Sequence, residues 1–365
     1  MLKNDILMIH GTDYTSMTKR LLERAELADL IGDREKHIAL KPNLVTDNSP
    51  ESGATTHAEL LEGAIQYLQE RGFRHITIME GSWVGSRTES SMRVCGYDRV
   101  CKKYGVPFVD LKHDTSTEYD AQGMRIKVCD LAMHTDFMIN MPVLKGHGQT
   151  IVTCALKNNK GVIPDSEKRR FHTLGLHKPI AHLNTVCRND YILVDNICGD
   201  LDFEEGGNPV LMNRVLGFRD PVLCDAFVCD TMGVELQEVP YIRLAEQLGV
   251  GSTDLSKANI IQINKPFAAM ERPRRTSRRV EKLAKYAAPL DARSACYGSL
   301  IHALNRLDMD GELRHVRIPI CIGQGYQKKT GEIGVGRCTA ECRKNLPGCP
   351  PKASDMIDFL RKNMT

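Results

Sequence analysis

Short apolar runs alternate with amphipathic stretches along the first half of the chain. The compact run at 5–9 predicts a strand, and apolar positions spaced three and four apart over 16–30 predict a helix. A second strand is expected at 37–40, stopped by the triplet Lys41-Pro42-Asn43. A polar loop and a strongly amphipathic helix at 57–71 follow, closed by Gly72. The next strand, 75–79, runs into Glu80-Gly81-Ser82, and the alternation continues with a helix at 91–104 and strands at 106–109, 137–141 and 192–194. This order predicts right-handed crossovers and a doubly wound, mainly parallel α/β sheet covered on both faces.

From residue 220 the pattern becomes more helical. Asp220-Pro221 reads as an N-cap followed by a first-turn proline. A strand at 259–263, a basic stretch at 272–285, an apolar-faced helix at 294–307 and a strand at 316–322 lead to a glycine-rich loop, a group of cysteines and a closing helix at 354–362. The expected organisation is an α/β core domain, 1–265, and a smaller C-terminal lobe, 266–365, that carries the cysteine loop.

Composition narrows the class. Lys plus Arg number 49 against 46 for Asp plus Glu, a balance that gives no general reason to expect a nucleic acid or an anionic membrane as partner. The basic stretch at 272–285 could track phosphates, but it has a single aromatic, Tyr286, at its edge, so an exposed helix face explains it better. No run approaches the roughly 20 apolar residues of a spanning helix, and the N-terminus lacks an apolar signal core. A cytoplasmic location is expected.

The chain has 13 cysteines. An odd number in a reducing compartment argues against a disulfide framework. Cys95, Cys101, Cys129, Cys154, Cys187, Cys198, Cys224 and Cys229 stand singly among apolar residues and read as small core residues. The others crowd the C-terminal part, where Cys338-x3-Cys342-x6-Cys349-Pro350-Pro351 is the sharpest chemical signal. Thiolates suit iron–sulfur clusters or zinc. Structural zinc draws paired ligands from two short motifs, and only one such pair is present, so a 4Fe–4S cluster is the expectation. Cys296, at the start of the 294–307 helix, where the positive dipole end favours a thiolate, is the expected fourth ligand. Cys321, between Ile320 and Ile322, reads as a core residue.

Ligands in doubly wound sheets bind beyond the carboxyl ends of strands. Lys41, Asn43, Glu80, Lys145 and Asp195 occupy such positions. Lys145-Gly146-His147 follows the 137–141 strand, and Lys157-Asn158-Asn159-Lys160-Gly161 follows a short helical stretch at 151–156. Glycine lets backbone N–H groups approach an anion, lysine supplies charge, and histidine moves protons near neutral pH. The expected site uses His147 as acid or base, Lys145, Lys157 and Lys160 on the anion, and Lys41, Asn43, Glu80 and Asp195 along the rim.

Lys41-Pro42-Asn43-Leu44, Thr55-Thr56-His57, Lys145-Gly146-His147, Leu156-Lys157-Asn158 with Gly161, and Gly348-Cys349-Pro350-Pro351 together resemble the domain-of-unknown-function family 362, from about residue 41 to the end. The resemblance implies an iron–sulfur cluster-binding protein and no settled reaction. The reading is an iron–sulfur-dependent enzyme, a lyase or oxidoreductase, acting on a small anionic metabolite, with a possible electron donor protein as partner. Two alternatives stand beside it: an electron-transfer or assembly protein with a redox cluster, and a nucleic-acid-binding protein using 272–285.

Overall fold

The structure is a computed structural model that describes residues 1–265, 279–292, 294–351 and 353–364. These divide into two compact units: one holds the residues up to 265 apart from 147–149, and the other holds 147–149 and the residues from 279 onward. The boundary expected after residue 265 abuts residues that lie outside the described set. So does the part of the basic stretch up to residue 278, while Arg279–Ala284 is helical.

The larger unit is built on an eight-stranded sheet. Its strands are β1 (Asp5–His10), β2 (Ile38–Pro42), β3 (Ile76–Glu80), β4 (Phe108–Asp110), β5 (Phe137–Met141), β6 (Tyr191–Asp200), β7 (Pro209–Phe218) and β8 (Asn259–Gln262). They lie in the order β8-β1-β7-β6-β5-β2-β3-β4. β7 runs antiparallel to both its neighbours, and the remaining pairings are parallel. β2, β3 and β5 are buried along their whole length, as parallel strands covered on both faces must be. Their side chains alternate between two separate cores: Ala39, Met79 and Met138 join one, while Ile38, Leu40, Ile78 and Ile139 join the other. Helices α1 (Tyr14–Arg24) and α2 (Ala58–Glu70) close the second core through Leu21, Leu22, Leu61 and Leu68. Helices α3 (Ala155–Asn158) and α4 (Pro221–Met232) help close the first. Asp220 caps α4 as expected, accepting N–H bonds from Val222 at 2.8 Å and Leu223 at 3.0 Å.

The doubly wound, mainly parallel sheet and the smaller lobe expected from the sequence are present, with local differences. The helix expected over 16–30 is two pieces, because Glu26 adopts a left-handed backbone (φ 52°) between Tyr14–Arg24 and Leu27–Ile31. The 91–104 helix is likewise divided at Gly96 (φ 76°). β6 extends well past residue 194 and turns back as β7, a strand the periodicity did not announce. The short helical stretch at 151–156 is instead the strand Ile151–Thr153 followed by α3.

The smaller unit contains four parallel strands in sequential order: β9 (Ala287–Pro289), β10 (Ile320–Ile322), β11 (Gly331–Val335) and β12 (Cys342–Leu346). Helices α5 (Ser294–Met309) and α6 (Ala353–Asn363) pack together. Among the described residues, no helix is long and apolar enough to cross a membrane.

Candidate functional site

The carboxyl ends of β2 and β3 bring together the first pair of expected site residues. Lys41 is 0% exposed and Glu80 3%, and Lys41 Nζ donates to Glu80 Oε2 at 2.5 Å and to the Pro42 carbonyl at 2.9 Å. Glu80 Oε1 also accepts the Gly81 N–H at 2.8 Å. Burial pushes the Lys41 ammonium down from its usual range, and Glu80 opposes that shift. Gly161 is obligatory beside this pair: a β-carbon there would stand 1.8 Å from Glu80 Oε1 and 2.7 Å from Lys41 Nζ.

A chain of amides continues from there. Asn43 Nδ2 donates to Asn158 Oδ1 at 2.9 Å, and Asn158 Nδ2 donates to Asn140 Oδ1 at 2.7 Å. Lys145 closes the far end. Its ammonium donates to Asn43 Oδ1 at 3.2 Å, to the Glu204 carbonyl at 2.9 Å and to the Ala54 carbonyl. An ammonium has three N–H donors, and these acceptors use all of them. Lys145 therefore ties three segments together rather than offering an open charge. Burial lowers it to about 7, Lys157 adds to that, and Glu204 and Asp200 oppose it.

Lys157 differs. It is half-buried, and among the described residues its ammonium has no hydrogen-bond or ion-pair partner. Burial lowers it to about 8 against the pull of Glu204. Lys160 is also half-buried, with its Nζ 3.3 Å from His172 Nε2, and burial followed by Lys157 and Lys168 holds it well below its usual range. Two lysines of one turn thus stand together at a strand end, and Lys157 adds to burial in lowering Lys160.

His147 belongs to the smaller unit, and its Nδ1 accepts the Gln149 N–H at 3.0 Å. Lys145 and Lys157 belong to the larger one. Asp195, expected on the rim, is fully buried on β6 and is committed to His57: Oδ2 accepts the His57 N–H at 2.7 Å and lies 2.8 Å from His57 Nδ1. Burial opposes charge on the imidazole, yet the charge and hydrogen bond of Asp195 raise His57 to about 11.

Sequence reasoning missed an acidic turn just after this strand. Asp200 accepts N–H bonds at 2.9 Å from Asp202, Phe203 and Asn208, and so shapes the loop whose Glu204 carbonyl holds Lys145. Burial raises Asp200 to about 6 and Glu205 to about 7. The four acids within 200–205 were the available signal.

In the smaller unit, Cys321 on β10 and Cys342 on β12 flank β11, whose Gly331 and Gly334 carry no side chain between them. A β-carbon at Gly331 would lie 2.7 Å from Cys321 Sγ and 3.0 Å from Cys342 Sγ, and one at Gly334 would lie 2.8 Å from Cys342 Sγ. Burial and the neighbouring Cys321 push the Cys342 thiol up to about 11. Cys338 sits in a single turn, Arg337–Thr339, whose Arg337 N–H donates to the Gly348 carbonyl at 2.7 Å, next to the exposed Cys349. Cys296 is half-buried in the first turn of α5. The signal that separates Cys321 from a core residue was its parity: Ile320 and Ile322 are buried, and Cys321 points the other way.

Among the described residues, three potential metal ligands share a single-ion spacing at Cys154, Cys224 and Asp225, in the larger unit. There the Asp225 carboxylate accepts the Ala155 and Leu156 N–H groups at 2.7 and 3.3 Å and so caps α3. Ligands of an iron–sulfur cluster bind different irons and stand farther apart than ligands of one ion. A spacing suited to one ion is therefore no measure of Cys338, Cys342 and Cys349.

A doubly wound sheet with lysines, amides and carboxylates at its strand ends, joined in one chain to a cysteine-bearing lobe, is the class that fold and site define. The chain belongs to the family described as "Domain of unknown function (DUF362)", whose model matches residues 38–230. That span includes Lys41, Glu80, Lys145, Lys157 and Asp195 and ends before the cysteine lobe. The "Thylakoid-associated protein sll1697" of Synechocystis sp. is 23% identical over 233 residues, 61% of this chain and 70% of that protein. The lactate racemase apoprotein of Thermoanaerobacterium thermosaccharolyticum aligns with a TM-score of 0.42 and 13% identity, over 62% of this chain and 57% of that one.

Proposed function

We propose that the protein binds a 4Fe–4S cluster in its C-terminal lobe and acts on a small anionic metabolite at the strand ends of its larger unit, as an oxidoreductase or lyase. The observation that carries the cluster assignment is the glycine strand between two cysteines. Gly331 and Gly334 leave bare the space onto which Cys321 and Cys342 converge, a cradle that a β-carbon would fill. The backbone bond from Arg337 to Gly348 holds the turns of Cys338 and Cys349 side by side. This set favours Cys321 over Cys296 as the companion of Cys338, Cys342 and Cys349. Bound there, a cluster would supply one-electron chemistry, or a Lewis-acidic iron if one cysteine were absent from its shell.

The anion reading rests on Lys157. It is the lysine of the strand-end group with no hydrogen-bond or ion-pair partner among the described residues, and Lys160 stands in the same turn. Lys145, Lys41 and the amide chain hold that turn in place. An electron-donor protein would complete an oxidoreductase.

The test is anaerobic purification of the full chain. Brown protein with iron and acid-labile sulfide, which bleaches in air, is expected. Colourless protein holding stoichiometric zinc would overturn the cluster reading without touching the anion site. That site is tested separately, by calorimetric screening of small carboxylates and phosphorylated compounds.

A further inference from the structure

We propose that Cys198, His57 and Asp195 form a nucleophile–base–orienter site in the larger unit, at which Cys198 takes up an acyl group from a small ester or thioester. Cys198 Sγ lies 3.9 Å from His57 Nε2, and Asp195 Oδ2 lies 2.8 Å from His57 Nδ1. The imidazole is thus gripped on one nitrogen by a carboxylate and presents the other to a thiol, which is the geometry that activates a nucleophile. The main chain fixes the orientation further: the His57 N–H also donates to Asp195 Oδ2, and the Ile197 N–H donates to Asp195 Oδ1 at 3.1 Å. The polar contacts of Cys198 are the imidazole and the Pro50 carbonyl, 3.4 Å away.

A purely structural cysteine has different surroundings. Cys95, Cys129 and Cys187 have thiols that burial pushes up to about 11, 12 and 12, which keeps them protonated and inert. None of these three has a histidine among the hydrogen-bond partners found for it. At Cys198 the imidazole held by Asp195 faces the sulfur directly. The other ionisable groups around the imidazole are Glu51 and Tyr14, with Glu59 beyond Tyr14. The Tyr14 ring meets the imidazole edge-on at 5.9 Å and is half-buried, so the site sits just beneath the surface.

In the step, the proton shared between Cys198 Sγ and His57 Nε2 rests on the imidazole, and the sulfur electron pair forms the S–C bond to the acyl carbon. The bond from that carbon to its alkoxide or thiolate leaving group breaks, and His57 returns the proton to the leaving group. Nothing is oxidised or reduced. The result is an acyl thioester on Cys198.

The test uses the full chain with two probes, iodoacetamide and p-nitrophenyl acetate, and reads each cysteine by peptide mass spectrometry. Alkylation of Cys198 in the wild type should vary little between pH 6.5 and 8.5. An ordinary cysteine thiol ionises near pH 8.5, so in His57→Gln the same rate should climb about 50-fold over that interval. Asp195→Asn, which keeps an acceptor beside Nδ1, should give an intermediate profile and serves if His57→Gln does not fold. p-Nitrophenyl acetate should acetylate Cys198 in the wild type and not in His57→Gln. Alkylation of Cys198 no faster than that of Cys95, or a profile unchanged by both substitutions, would overturn the site. Alkylation without acetylation would overturn the acyl assignment.

Discussion

Replacing Lys41 by Met leaves the Glu80 carboxylate in a site that is 3% exposed with the Gly81 N–H as its remaining donor. Replacing Glu80 by Leu leaves an ammonium that is 0% exposed with the Pro42 carbonyl alone. Removing one partner of a buried pair strands the other charge and costs about 3–5 kcal/mol. The double replacement removes both charges and refills the space with apolar groups of similar volume, a change that is often neutral. The two single variants should therefore each lose about 3–5 kcal/mol and the double variant far less, giving a coupling of several kcal/mol where an exposed pair would give about 0.2–1. The chain's one tryptophan, Trp83, follows Glu80 closely and belongs to the larger unit, so its fluorescence during urea denaturation reports the unfolding of that unit. Single variants that lose under 1 kcal/mol, or a double variant equal to the sum of the singles, would show that the pair does not hold these strand ends.

Four further outcomes are expected. His57 is raised to about 11, so its pairing with Asp195 stabilises fully below its ordinary value near 6.5, declines as pH rises, and is gone above about 11. The stability gap between wild type and His57→Gln, measured by urea denaturation at a series of pH values, should shrink across that window; a constant gap would refute the pairing. Lys157→Met should weaken binding of a small anion by about 1.5–3 kcal/mol in calorimetry while leaving Tm nearly unchanged. Lys145→Met should instead destabilise the larger unit by about 1–3 kcal/mol for each buried acceptor left bare, which equal Tm values for the two variants would contradict. Cys321→Ala should lower iron and sulfide content under anaerobic purification, whereas Cys296→Ala should leave them nearly intact; the reverse result would return the fourth position to Cys296.

The sequence by itself determined the architecture. Short apolar runs alternate with amphipathic helical stretches, an order that calls for crossovers and a sheet covered on both faces, so a doubly wound sheet followed from local pattern. It also placed Lys41, Glu80 and Lys145 near strand ends, because the change from apolar to polar is abrupt there. What those residues do was decided by segments far away in the chain. Lys145 reads as an open charge until Asn43, Ala54 and Glu204 arrive to take its three donors. Asp195 and Cys198 are an odd number of positions apart, which on a regular strand sets them on opposite faces. The register irregularity of β6 between Asn196 and Cys198 resets that alternation, and both reach one imidazole contributed by the start of α2. Cys321 looks like a core residue beside two isoleucines, and only the pairing of β10, β11 and β12 brings it across two glycines to Cys342. Periodicity is local and survives in the sequence. Hydrogen-bond saturation, strand register and the meeting of thiols depend on contacts between distant segments, and only the folded chain supplies them.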